Sequence, residues 1–111
     1  MKGAHLGEFE EIVLLTIASL MEEAYSVNIV DEIAKVTGRA SKLGVVHAVL
    51  TRLQDKGMIT SELGEPTKER GGRRKRFFEV SQAGKLALLN SKEQRDRLWS
   101  GIPDIVFDGL R

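Results

Sequence analysis

The stretch from Ser41 to Arg76 constrains this chain most, because segments of unlike character follow one another in it without a gap: SKLGVVHAVLTRLQDKG, then MITSEL, then GEPTKERGGRRKR. In the first, Leu43, Val46, Leu50 and Leu53 recur at three- or four-residue steps, the spacing of a helix with one buried stripe. Ser41 offers an N-cap oxygen, and Gly57 supplies the left-handed residue on which helices commonly end. Lys42, Val45, His47, Ala48, Thr51 and Arg52 then fall on the other faces, which are small and only mildly basic. MITSEL alternates as a strand with Ile59 and Leu63 on one side, and RKRFFEVS answers it, with Arg76, Phe78 and Val80 alternating against Phe77 and Glu79. Between the strands, GEPTKERGG has the glycine, proline and charge content of an exposed loop. A helix leading directly into a hairpin with a long basic tip is therefore expected.

Upstream, apolar residues at Phe9, Ile12, Val13, Ile17 and Leu20 keep helical spacing from Leu6 to Met21, and Leu14, Leu15 and Ala18 widen the stripe beyond one face. That surplus can be covered by the domain's own core or by a second subunit. MEEAYS interrupts the pattern, and SVNIVDEIAKVTG resumes it with Ile29, Val30, Ile33 and Val36 or Thr37 inward and Gly38 as the stop. The link GRA before Ser41 is so short that the second and third helices must cross steeply, as in a helix-turn-helix. Downstream, SQAGKLALLNSKEQRDRLWSG reads as a fourth helix capped by Ser81 and stopped by Gly101 and Pro103. Its apolar residues are too spread out to reach the body of a small domain, so a partner subunit is the expected neighbour. The tail PDIVFDGLR adds an apolar set that needs cover.

These elements predict a mainly α fold with a small β-hairpin: a winged helix-turn-helix over residues 1–80, with a C-terminal dimerisation helix and tail over 81–111, the two forming one structural unit. A length of 111 residues, 41% of them hydrophobic, suits one core and leaves little room for another. No cysteine is present, which rules out disulfides and thiolate zinc sites and fits a cytoplasmic protein. No run approaches the length of a membrane span, and MKGAHLGEFEE turns acidic where a signal peptide needs an apolar core. A soluble, unprocessed chain with no membrane partner and no cofactor is expected.

The net charge of +1 says little about partners, but its distribution says more. Lys68, Arg70, Arg73, Arg74, Lys75 and Arg76 are opposed locally only by Glu69, whereas the first helix is acidic. Such a basic tip beside a helix in the recognition position points to double-stranded DNA, since only the face meeting phosphates must be positive. Those six residues are the candidate wing contacts; strand alternation lets Arg73 share a face with Lys75, or Arg74 with Arg76. Ser41, Lys42, Val45, His47, Ala48 and Arg52 are the candidate groove-facing set. Lys42 and Ser41 stand where helix amides favour a phosphate, His47 can donate to a base edge, and Val45 or Ala48 can touch a thymine methyl. The plainer readings are a solvated basic strand and a His47 that only packs against the first helix of the motif.

With these elements in place, the chain resembles the PadR family of bacterial transcriptional regulators in its short, single-domain form, from about Glu10 to Leu89. The likeness rests on IVLLTIASL, AYSVNIVDEI, LGVVHAVLTRLQDKGMI and, most specifically, GGRRKRFFEVSQAG with its glycine pair, arginines, two aromatics and capped helix. Where much of the family has tyrosine and proline in the third helix, this chain has His47 and Ala48, and the glycine that usually precedes Tyr25 is Ala24. The resemblance implies a homodimeric repressor, often released from DNA by a small molecule or a stress signal, with the first and last helices forming the dimer. The candidate interface is Phe9, Val13, Leu86, Leu89, Leu98, Trp99, Ile105 and Phe107. Trp99 is also the candidate contact for an apolar small-molecule effector, although simple interface packing explains it as well.

An enzyme is not expected. The histidines His5 and His47 lie at opposite ends of the domain, and no acidic residue is spaced to serve a nucleophile or to complete a metal site. The RGGR glycines join two strands, whereas a phosphate-binding enzyme loop needs a strand before it and a helix after. The rival from another class is a winged-helix protein-interaction module that uses the same fold without specific DNA binding.

Overall fold

A computed structural model describes residues 5–66 and 74–110. The order is α1 (Glu8–Leu20), a 3₁₀ turn (Met21–Glu23), α2 (Ser26–Thr37), α3 (Leu43–Asp55), β1 (Ile59–Pro66), β2 (Arg74–Val80), α4 (Gln82–Ser100) and a 3₁₀ turn (Asp104–Phe107). Helices as short as α1, α2 and α3 are marginal in isolation, so their apolar stripes must hold them. Val13, Leu14 and Ile17 of α1, Ile29 and Ile33 of α2, and Val46, Val49, Leu50 and Leu53 of α3 converge on one core. Met58, Ile59, Phe78, Val80 and Ala87 close it from the hairpin and α4.

The stripe of α3 differs from the sequence expectation at both ends. Leu43 is 42% exposed, because the first turn of α3 overhangs the body, and Val49 takes its place in the core. Ser41 is not the N-cap. The helix begins at Leu43, and the cap position falls on Lys42, whose extended backbone (φ −79°, ψ 143°) carries no side-chain cap; its carbonyl instead accepts from the amides of Val45 and Val46. Ser41 is thus one position too early to cap. In α2, Val36 is 70% exposed, and in α1, Leu15 is 50% exposed, so the inward sets are narrower than the pattern predicts.

The hairpin is antiparallel, pairing Ile59 with Val80, Ser61 with Phe78 and Leu63 with Arg76, and its register shifts between Leu63 and Pro66. On its other edge β2 meets the start of α2: Tyr25 bridges Phe77, and the Phe78 amide donates to the Ala24 carbonyl at 2.8 Å. Gly57 has φ 76°, as the turn from α3 into β1 requires. Ser81 then joins the ends of three elements, since its hydroxyl accepts from the Gly84 amide at 3.1 Å and donates to the Gly57 carbonyl at 2.6 Å. Gly84 is buried against the hairpin root, and a Cβ there would collide with the Met58 carbonyl oxygen.

Past its Arg95–Glu11 ion pair α4 runs clear of the body. The radius of gyration is 16.7 Å, against about 13 Å for a compact domain of this length, and the extents are 58 × 34 × 21 Å. Among the described residues, no helix is long and apolar enough to cross a membrane.

Candidate nucleic-acid interface

The side of α3 turned from the core presents Lys42, Val45, His47 and Ala48, all exposed, together with Gly44 and Thr51. Apart from its chain neighbours and the backbone of its own helix, no atom lies within 4 Å of where a Cβ on Gly44 would be, so this face is open as well as small. The Thr51 hydroxyl donates to the His47 carbonyl at 3.1 Å, which leaves its lone pairs facing out. Arg52 does not join this set. Its guanidinium turns toward α1 and lies 3.4 Å from Glu10, while Gly44 and Thr51, which carry no charge to announce them, share the exposed face.

Glu10 is the anchor of this arrangement. It is 7% exposed, and its carboxylate accepts from Lys56 at 2.8 and 3.0 Å, from the Gly7 amide at 2.8 Å and from Arg52. Burial pushes the carboxyl upward, but the hydrogen bonds from Lys56 and Gly7, with the nearby ammonium and Arg52, outweigh it and hold Glu10 below its usual value. Its neighbours reach other elements. Glu8 pairs with Arg39 of the turn between α2 and α3 at 3.1 Å, and the same guanidinium stacks over the Phe9 ring at 4.7 Å. Glu11 pairs with Arg95 of α4 at 2.9 Å. One helical turn therefore holds α3, the turn before it and α4.

The wing has two chemically different faces. Arg74 and Arg76 are exposed on one, bonded to the Gly64 carbonyl at 2.9 Å and the Ser61 hydroxyl at 3.0 Å. A guanidinium has five N–H groups, so these bonds orient both side chains and leave donors for phosphate. Ser61 also accepts from Gln54 of α3 at 3.4 Å, which links helix to wing. Lys75 points the other way and sits 4.1 Å over the Tyr25 ring, itself edge-on to Phe77. Lys68, Arg70 and Arg73 lie outside the described residues.

Of the candidate interface residues, Leu86, Leu89, Leu98, Trp99 and Ile105 are each more than 60% exposed. Phe107 is half-buried by stacking on Trp99, with ring centroids 5.8 Å apart. Phe9 is half-buried under Arg39. Val13 is a correction: it is fully buried in the domain's own core and offers nothing to a partner.

Three helices with a tight turn between the second and third, followed by a hairpin packed beside the third, define a winged helix-turn-helix protein. A profile of the "Transcriptional regulator PadR-like family" matches residues 14–90, and the chain belongs to that family. Its members are transcriptional regulators rather than enzymes. Among curated proteins no sequence matches. Solved structures similar in fold include a PadR-like transcriptional regulator from Bacillus cereus, with TM-score 0.71, 17% identity, 91% of this chain and 92% of that one covered. A PadR family regulator from Clostridium difficile superposes with TM-score 0.68 at 18% identity, covering 83% and 92%. Bacillus subtilis PadR, solved in complex with operator DNA, gives TM-score 0.63 at 18% identity, covering 74% of this chain and 45% of that one.

Proposed function

We propose that this protein is a homodimeric, sequence-specific DNA-binding regulator that represses transcription by occupying an operator. The observation that carries the reading is the open outer face of α3 beside the Arg74–Arg76 face of the wing, both fixed from behind through Glu10 and Ser61. A helix face of glycine, alanine, threonine and histidine can approach base edges closely, and the two oriented guanidiniums supply phosphate contacts. The operator-bound Bacillus subtilis relative supports the same use of the fold. Each subunit would place α3 in a major groove, with half-sites about one helical turn apart. Dimerisation uses the apolar residues of α4 and the tail, with Leu15 of α1, and a small molecule that alters the dimer or the wing releases the DNA. A DNA partner implies a cytoplasmic location.

Selection of bound duplexes from a random pool tests this directly. The expected result is a palindromic consensus with half-sites a helical turn apart. A pool that stays random, or a mobility shift fully abolished by nonspecific competitor, refutes sequence-specific repression and favours a protein-interaction role.

A further inference from the structure

Arg74, Lys75 and Arg76 carry like charges on consecutive residues, yet strand alternation sends Lys75 to the face of the wing opposite the two guanidiniums, beside Phe77. There its ammonium lies 4.1 Å from the centre of the Tyr25 ring, and the Phe77 ring meets the same tyrosine edge-on at 5.5 Å and 73°. Phe77 also reaches the opposite strand. A Cβ on Gly64 would stand 2.6 Å from its ring, so only glycine lets the two come this close. Gly64 lies where the register of the hairpin shifts, and its carbonyl orients Arg74. A two-stranded hairpin is marginal on its own and takes its direction from what it leans on. At its root that support is the Phe78 amide on the Ala24 carbonyl and Gln54 on Ser61. Further out, among the hydrogen bonds, ion pairs and ring contacts of the described residues, Lys75 on Tyr25 is the outermost tie between the wing and the helices.

We propose that Lys75 and Tyr25 are positioning residues for DNA binding: their cation–π contact pins the wing to the start of α2 and so sets the reach of Arg74 and Arg76, without either residue meeting a phosphate. The role rests on the function proposed above, whereas the contact itself does not. Arg74 and Arg76 flank Lys75 in the chain, so a wing free to tilt carries both guanidiniums away together. An exposed cation–π contact shifts an equilibrium about two- to fivefold, which sets the size of the effect. The competing role for Lys75 is a third phosphate contact. That role has its own signature, because each such contact adds about one to the slope of log affinity against log salt.

The test titrates the full chain with a duplex selected from the random pool over a series of salt concentrations. Lys75→Met, on the exposed strand surface, is expected to weaken binding about two- to fivefold at every salt concentration and to leave the slope as in wild type. Lys75→Arg should recover that affinity. Tyr25→Leu should match Lys75→Met, Tyr25→Phe should recover the loss, and Lys75→Met with Tyr25→Leu should bind no more weakly than either alone. Tyr25 is the chain's one tyrosine, and its ring current should shift the Lys75 ε-methylene protons upfield in the free protein. That signal should persist on DNA and vanish in Tyr25→Leu. A slope flattened by about one in Lys75→Met, full affinity in that variant, no recovery by arginine, or a Lys75 signal that leaves the ring on DNA would each overturn the role. Should Tyr25→Leu not fold, the Lys75 variants and the wild-type signal decide alone. A wild type that binds no duplex removes the regulatory function and this role with it, the ring-shifted signal still marking the contact. Specific binding that ignores Lys75→Met removes this role only.

Discussion

Glu10 shows how one carboxylate can set both stability and aim. With its hydrogen bonds from Gly7, Lys56 and Arg52 removed, Lys56 and Arg52 lose their shared partner, and Glu10→Ala is expected to cost about 2 kcal/mol in chemical denaturation. The pH dependence follows from its lowered carboxyl. A group depressed in the folded state stabilises fully above its unfolded value and loses that contribution as pH falls through the folded one. The stability gap between wild type and Glu10→Gln should therefore be flat at neutral pH and shrink only below the ordinary carboxylate range; a gap that widens on acidification would contradict the assignment. Gly84 is the other residue with a sharp expectation. Gly84→Ala forces a methyl against the Met58 carbonyl and the Val80 side chain and should cost about 2–3 kcal/mol, even though alanine is the better helix former.

Among the elements, the wing is the one whose contribution can be isolated by salt. Arg74→Ala with Arg76→Ala should flatten the slope of log affinity against log salt by about 2, with weaker binding to every duplex alike. Lys75→Ala should change it little, since its ammonium is turned to Tyr25. The opposite facing of these neighbouring basic residues is readable from strand alternation, and the helix order, the Ser81 cap and the ends of α2 and α3 at Gly38 and Gly57 are readable from apolar spacing and cap residues. Periodicity failed at the first turn of α3, where overhang exposes Leu43 and a backbone cap replaces Ser41. Sequence spacing locates the Arg52 side chain on a face of α3 but not the distant Glu10 carboxylate toward which it turns. The Lys75–Tyr25 contact has no local signature either, because its partners come from segments far apart in the chain.

At the scale of the whole molecule, the exposed apolar side chains of α4 and the tail are the surface that the proposed dimer would bury. Leu98→Glu should shift sedimentation toward monomer by a tenfold or greater change in dissociation constant, and operator affinity should fall with it, because each half-site then binds alone. The junction in the first turn of α1 gives that coupling a mechanical basis. Arg95 to Glu11 is the one ion pair joining α4 to another element among the described residues, and the next residue along, Glu10, holds the reading helix. In the proposed dimer, self-association and DNA reading would share a single bearing. By reciprocity, whatever the proposed dimer would contribute to operator affinity, the operator would return to the dimer, and the protein's own abundance would then become one of its signals.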